Sequence, residues 1–178
     1  MLVVIDVGNT NITIGIYHGD KLIGNYRLTT KMKRTSDEYG FMMMNFLNAS
    51  KVQPEDIQDV IVSSVVPKIM HSFLNGIRKY MHKEPIIIGP GIRTGISVKA
   101  ENPKAVGADR IVDAAGAYYE YGGPCLVVDY GTATTFDYVD GNGNFEYGVI
   151  TLGTVQAFVQ YVNQIAEPVT ETAYVITS

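Results

Sequence analysis

"VVIDVGNTNITIGIYHGDKL", residues 3–22, sets an acid, a glycine and a run of small polar residues between two β-branched segments. The flanking apolar and alternating residues predict strands over 2–7 and 12–17, with YHGDKL as a second turn and IGNYRLTT as a third strand. An antiparallel meander should therefore open the chain. A two-residue hairpin needs only Asn-Gly or Asp-Gly at its tip, so the carboxylate, amides and hydroxyl of Asp6, Asn9, Thr10 and Asn11 exceed what a turn requires. Such a turn is suited to holding something.

Beyond the meander, Ser36, Asp37 and Glu38 open a helical pattern over SDEYGFMMMNFLNAS, with Tyr39, Met42, Met43 and Phe46 on one face. The consecutive methionines read as core filling. QDVIVSSVVPKIMHSFLNGIRKYM then predicts a buried strand, a Ser-Ser turn and a helix from Pro67 to about Met81, and EPIIIGPG supplies the next strand of a β-α-β unit. GPGIRTGISVKAENP reads as a loop with a short strand and marks a candidate domain boundary. From Pro103 a helix through AVGADRIVDAAGAYYEY should end at Gly122-Gly123, and CLVVDYGTATTFDYVDGNGNFEYGVIT returns to strand, polar turn, strand, turn and strand.

That last stretch echoes the first. LVVDYGTATTFDYVDGNGNF repeats the apolar run, the Asp-x-Gly, the small polar cluster and the second strand of residues 3–22. The expectation is an α/β protein of two related lobes, residues 1–100 and 101–178. Each has a mixed sheet with an antiparallel start and helices on both faces, and each offers one polar hairpin. Roughly fifty residues follow position 125, too few for a second lobe of the first one's size, so the second lobe reads as shortened.

The chain of 178 residues is 46% hydrophobic, enough for a real core. Its 14 basic against 18 acidic residues leave a formal charge of −4, which argues against general affinity for nucleic acid or an anionic membrane. The single cysteine, Cys125, cannot form an internal disulfide and reads as part of a strand core, in keeping with a reducing compartment. The apolar start lacks a basic leader and ends at Asp6, and no stretch is long enough to span a bilayer, so the cytoplasm is the expected location.

A glycine just after a strand lets backbone N–H groups approach an anion, and neighbouring amides and hydroxyls add hydrogen bonds to phosphate oxygens. Gly8, Asn9, Thr10 and Asn11 could form one such cradle, and Gly131, Thr132 and Thr134 another. Asp6 and Asp129 stand at strand ends, where a carboxylate could meet a hard cation that neutralises phosphate charge. Simple turn capping explains either set alone, though both together less easily. Gly107 precedes Asp109 and Arg110 near a helix start, placing a possible general base beside a possible anion partner; with Asp113 they equally fit a solvated charged face.

DVGNTNIT at 6–13, SSVVP at 63–67, NPKAVGADRI at 102–111 and DYGTATTFD at 129–137 together resemble the signature blocks of type III pantothenate kinases. That family lies within the acetate and sugar kinase, Hsp70 and actin superfamily, and the resemblance implies actin-like ATPase lobes of ribonuclease H-like topology. It also implies ATP-dependent phosphorylation of pantothenate in coenzyme A synthesis. Carried over by position, Asp6, Val7, Gly8, Asn9, Thr10, Asn11, Ile12 and Thr13 would form the first ATP loop, with Asp6 serving Mg²⁺ through the nucleotide. Thr132 would contact ATP and Asp129 a monovalent cation, K⁺ or NH₄⁺. Gly107, Ala108, Asp109 and Arg110 would line the pantothenate site, with Asp109 as the catalytic base. Ala100 stands where the family commonly has a tyrosine in the wall of that site, and Thr154 of GTVQA resembles a substrate contact. The family works as a homodimer. A non-catalytic relative that binds nucleotide is the alternative.

Overall fold

The computed structural model describes residues 1–30, 33–89, 92–99, 105–130 and 134–147. Its backbone packing divides into two compact units, one of Met1–Ile92 with Lys104–Val112, the other of Arg93–Pro103 with Asp113–Ser178. Among the described residues no helix is long and apolar enough to cross a membrane.

The first unit contains strands β1 (Leu2–Val7), β2 (Asn11–His18) and β3 (Lys21–Thr29), helix α1 (Ser36–Ala49), β4 (Asp59–Ser64), α2 (Pro67–Met81) and β5 (Ile86–Ile87). Its sheet runs β3-β2-β1-β4-β5, with β2 antiparallel to both neighbours and β1, β4 and β5 mutually parallel. The expected antiparallel opening and parallel continuation are both present, in the order of a ribonuclease H-like lobe. Alternation decides the two faces. Val3, Ile5 and Val7 of β1, with Ile12, Ile14 and Ile16 of β2, are buried together with Tyr39 and Met43 of α1 and Phe73 and Ile77 of α2.

Thr35 starts α1 with a reciprocal cap: its hydroxyl accepts from the Glu38 amide at 3.2 Å, and a Glu38 carboxylate oxygen accepts from the Thr35 amide at 2.6 Å. The buried stripe of this helix is Tyr39, Gly40, Met43 and Leu47, rotated from the expected face, with Met42 and Phe46 only half-buried. The cause is the crossing with α2. A side chain on Gly40 would run into the Tyr80 ring, and one on Gly76 would come within 2.7 Å of the Ser36 carbonyl and 3.0 Å of the Gly40 amide. The helices therefore meet backbone to backbone, and glycine holds the centre of the contact. Phe46 instead stacks on Tyr26 of β3, ring centres 4.5 Å apart.

Helix α2 starts at Pro67, as expected, and ends at His82 in the left-handed region, φ 54°. Ser63 and Ser64 are the last two residues of β4, not a turn. The Ser64 hydroxyl accepts from the Val66 amide at 3.1 Å and so carries the chain out of the strand.

The second sheet face bears Val4, Asp6, Thr13, Gly15, Ile61 and Ser63, which line a groove of about 440 Å³. Helix α3 (Ala108–Tyr121) contributes Val112 to this groove, so helices address both faces, α1 and α2 on one and the start of α3 on the other.

The second unit carries β6 (Ser97–Val98), β7 (Cys125–Tyr130), β8 (Thr134–Val139) and β9 (Asn144–Tyr147), in the order β6-β9-β8-β7. Strands β7, β8 and β9 form an antiparallel meander and β6 joins β9 in parallel. Gly122 closes α3 at φ +76°, its amide donating to the Tyr118 carbonyl at 2.9 Å. Between β8 and β9, Asp140 Oδ1 accepts from the amides of Asn142 and Asn144, each at 2.8 Å, and Oδ2 accepts from the Asn144 side chain at 2.8 Å. These bonds, that of the Asn144 side chain foremost, hold the Asp140 carboxyl below its ordinary range. Cys125 is half-buried rather than a core residue, and desolvation pushes its thiol up, away from the reactive thiolate.

Candidate active site

The β1–β2 turn is held from beneath. Val7 and Ile12 pair across it and both side chains lie in the core, so a ligand could meet these two residues only through their main chain. The Gly8 amide donates to the Asn11 carbonyl at 3.0 Å. Thr30, 4% exposed and just past the end of β3, donates its amide to the Thr10 carbonyl at 2.9 Å and its hydroxyl to the Gly8 carbonyl at 2.8 Å. Two turn carbonyls are thereby tied inward, while Asn9 and Thr10 stay exposed. A Cβ on Gly8 would sit 3.2 Å from the Asn11 carbonyl and 3.9 Å from Asp6 Oδ2, filling the space between turn and carboxylate.

Pairing register brings three polar side chains abreast. Asp6 of β1 faces Thr13 of β2 on one side and Ser63 of β4 on the other, and directly paired residues project to the same face. The row Thr13-Asp6-Ser63 lies in the groove. Asp6 is exposed, whereas Ser63 is 4% exposed and its hydroxyl is buried without a hydrogen-bond partner.

At the start of α3, Ala108, Asp109 and Arg110 are half-buried. Asp109 Oδ1 accepts from the Arg110 amide at 2.8 Å, as a carboxylate in a first helical turn can. A side chain on Gly107 would collide with that same oxygen and reach 3.5 Å from Val65 Cγ1. The bare glycine is the seat of the carboxylate. Asp109 is three positions before Val112, hence on the same side of the helix as the residue that lines the groove.

The second unit repeats the first hairpin's pairing. Asp129 of β7 faces Thr135 of β8 as Asp6 faces Thr13, although the turn closed by Tyr130 and Thr134 is shorter than that closed by Val7 and Ile12. Asp129 is half-buried, and the Thr135 hydroxyl, like that of Ser63, is buried without a partner. Ala100, Gly131, Thr132 and Thr154 lie outside the described residues, as do the side-chain surroundings of Thr134.

Two contributors have no role assigned from the sequence, although Ser63 lies within the SSVVP block. Thr30 reads only as the end of a strand, since nothing local announces a partner 22 residues back. Ser63 follows the alternating Val60 and Val62, and that alternation would have put it on the face opposite the core. No group of three or more His, Cys, Asp or Glu side chains gathers as a metal site among the described residues. The donor set is one carboxylate with flanking hydroxyls, which suits Mg²⁺ carried largely by phosphates and water. The orphaned Ser63 hydroxyl, and the close approach to the turn and Asp6 that the bare Gly8 leaves unfilled, are compatible with that occupant.

A family model described as "Type III pantothenate kinase" matches residues 2–166. A type III pantothenate kinase of Bifidobacterium longum (strain NCC 2705) is 55% identical over 153 residues, 86% of this chain and 60% of the relative. One from Listeria monocytogenes serotype 4a (strain HCC23) is 47% identical over 167 residues, 94% and 64% of the respective lengths. The chain thus spans less than two thirds of the curated relatives it matches. Among solved structures, a ROK hexokinase from Thermus thermophilus aligns with a TM-score of 0.44 at 15% identity, covering 86% of this chain and 50% of that one.

Proposed function

Because the chain belongs to the type III pantothenate kinase family, we propose that it transfers the γ-phosphoryl group of ATP to the primary hydroxyl of pantothenate, yielding ADP and 4′-phosphopantothenate for coenzyme A synthesis. The observation that carries the reading is the seating of the Asp109 carboxylate against Gly107 at the start of the helix whose Val112 lines the Asp6 groove. Asp109 accepts the hydroxyl proton as the pantothenate oxygen bonds to the γ-phosphorus, and the bond from phosphorus to the β,γ-bridging oxygen breaks to release ADP.

In this reading the turn over Gly8 to Asn11, with Thr13, receives phosphate oxygens, and the main chain of Val7 and Ile12 supports it. Asp6 would hold Mg²⁺ through the phosphates, and the ion would supply charge neutralisation there. Gly107, Ala108 and Arg110 line the pantothenate side, where the Arg110 guanidinium suits the substrate carboxylate. Asp129 serves a monovalent cation, K⁺ or NH₄⁺, and Thr132 the nucleotide. Ala100 and Thr154 complete the substrate contacts, the protein is a homodimer, and it acts in the cytoplasm. Neither nucleic acid nor membrane is a partner.

Incubation with ATP, Mg²⁺, K⁺ and pantothenate should give phosphopantothenate by mass spectrometry, and Asp109→Asn should abolish turnover while ATP still binds. Equal turnover by that variant would remove the base. The alternative reading is nucleotide binding without turnover. Calorimetry that registers ATP but not pantothenate would select it.

A further inference from the structure

We propose that the Ser63 hydroxyl is a positioning group for magnesium-bound nucleotide, sharing with Asp6 the task of holding a water of the ion's hydration shell; this rests on the nucleotide reading of the groove given above. Three observations lead there. The hydroxyl belongs to a residue 4% exposed and has no hydrogen-bond partner. A buried hydroxyl left unbonded is costly, so a chain gains by alanine unless the group is used in some other state. The parallel register sets Ser63 directly beside Asp6, on the groove face and at the ends of β1 and β4, away from the valines that build the core.

Adjacent strands lie roughly 4.8 Å apart, and the Ser63 hydroxyl makes no bond to its paired neighbour Asp6, so the two are close enough to share a small bridging molecule. Magnesium surrenders its waters reluctantly and is usually held partly through them. A carboxylate and a neutral hydroxyl side by side suit such a water: the carboxylate accepts one of its hydrogens, and the hydroxyl, which both donates and accepts, fixes its orientation. Thr13 flanks Asp6 on the other side, but its neighbouring strand leads back into the turn, whereas β4 leads into α2. Ser63 thus ties the ion's position to a second, independent strand.

The test is calorimetric titration of the full chain with ATP, with and without Mg²⁺, in the parent, Ser63→Ala and Ser63→Thr. Magnesium-ATP affinity should fall roughly five- to twentyfold in Ser63→Ala, magnesium-free ATP affinity should stay within twofold, and Ser63→Thr should recover most of the loss. The melting temperature of ligand-free Ser63→Ala should be unchanged or higher. Magnesium-ATP binding within twofold of the parent would overturn the assignment, as would an equal loss with and without Mg²⁺. A lowered melting temperature would overturn it too, by showing that the hydroxyl serves the ligand-free fold. A parent that binds no ATP at all would instead overturn the nucleotide reading beneath it.

Discussion

Replacing Gly107 with alanine should dislodge the Asp109 carboxylate while leaving the surrounding fold in place. The added methyl would clash with Asp109 Oδ1, whereas its nearest other neighbour, Val65 Cγ1 at 3.5 Å, would be an ordinary contact. The carboxylate is the part able to move, so it must rotate by on the order of 1 Å and weaken its 2.8 Å bond from the Arg110 amide. A reacting group misplaced by about 1 Å costs on the order of a hundredfold in rate. Stability should change by no more than about 1 kcal/mol, because the clash is with a side chain at a helix end and alanine there also restricts the unfolded chain. The assay is steady-state phosphorylation of pantothenate alongside thermal melting, with Asp109→Asn as the reference for loss of the base. A Gly107→Ala protein with kcat within threefold of the parent and an unchanged melt would refute the reasoning, since the acid would then not depend on its seat.

Gly76→Ala should destabilise the first unit by about 2 kcal/mol, the clash with the Ser36 carbonyl and the Gly40 amide outweighing the roughly 1 kcal/mol that alanine gains in a helix; urea denaturation measures it. Thr35→Ala removes the hydroxyl that accepts from the Glu38 amide, while the main-chain amide at 35 can still donate to Glu38, and should cost about 1 kcal/mol in the same measurement. Asp140 has a folded-state pKa below the ordinary 3.8, so the stability it lends is fully present above that value and disappears as pH falls through the folded value. Melting temperatures taken from about pH 5 downward should therefore fall less steeply for Asp140→Asn than for the parent.

Much of this architecture is legible in local sequence, for a physical reason. The alternation of residues 3–7 and 12–16, the proline at 67 and the glycine at 122 each act within a few residues of themselves, through side-chain direction, a fixed φ or a left-handed turn. What sequence conceals is decided between distant segments. The rotation of α1 follows from Gly40 meeting Tyr80 and Gly76, a contact in which the absence of a side chain is the recognition element and hydrophobic periodicity counts nothing. The end of β4 is set by its pairing with β1, which draws Ser63 and Ser64 into the strand although two serines read locally as a turn. Of the site, the two Asp-led hairpins were visible because their pattern occurs twice. Ser63 and Thr30 were not, because one matters through register and the other through a partner in another turn.

The anchoring of the β1–β2 turn by Thr30 bears on the entropy of capture. A loop that freezes only when its ligand arrives loses roughly 1–2 kcal/mol of affinity for each residue it orders. Here two buried bonds from one threonine immobilise Gly8 and Thr10 as the sheet forms. A phosphate bound there, as the proposed function requires, would meet a turn whose backbone freedom was surrendered at folding, and its attraction would go into holding the anion instead of rigidifying the chain.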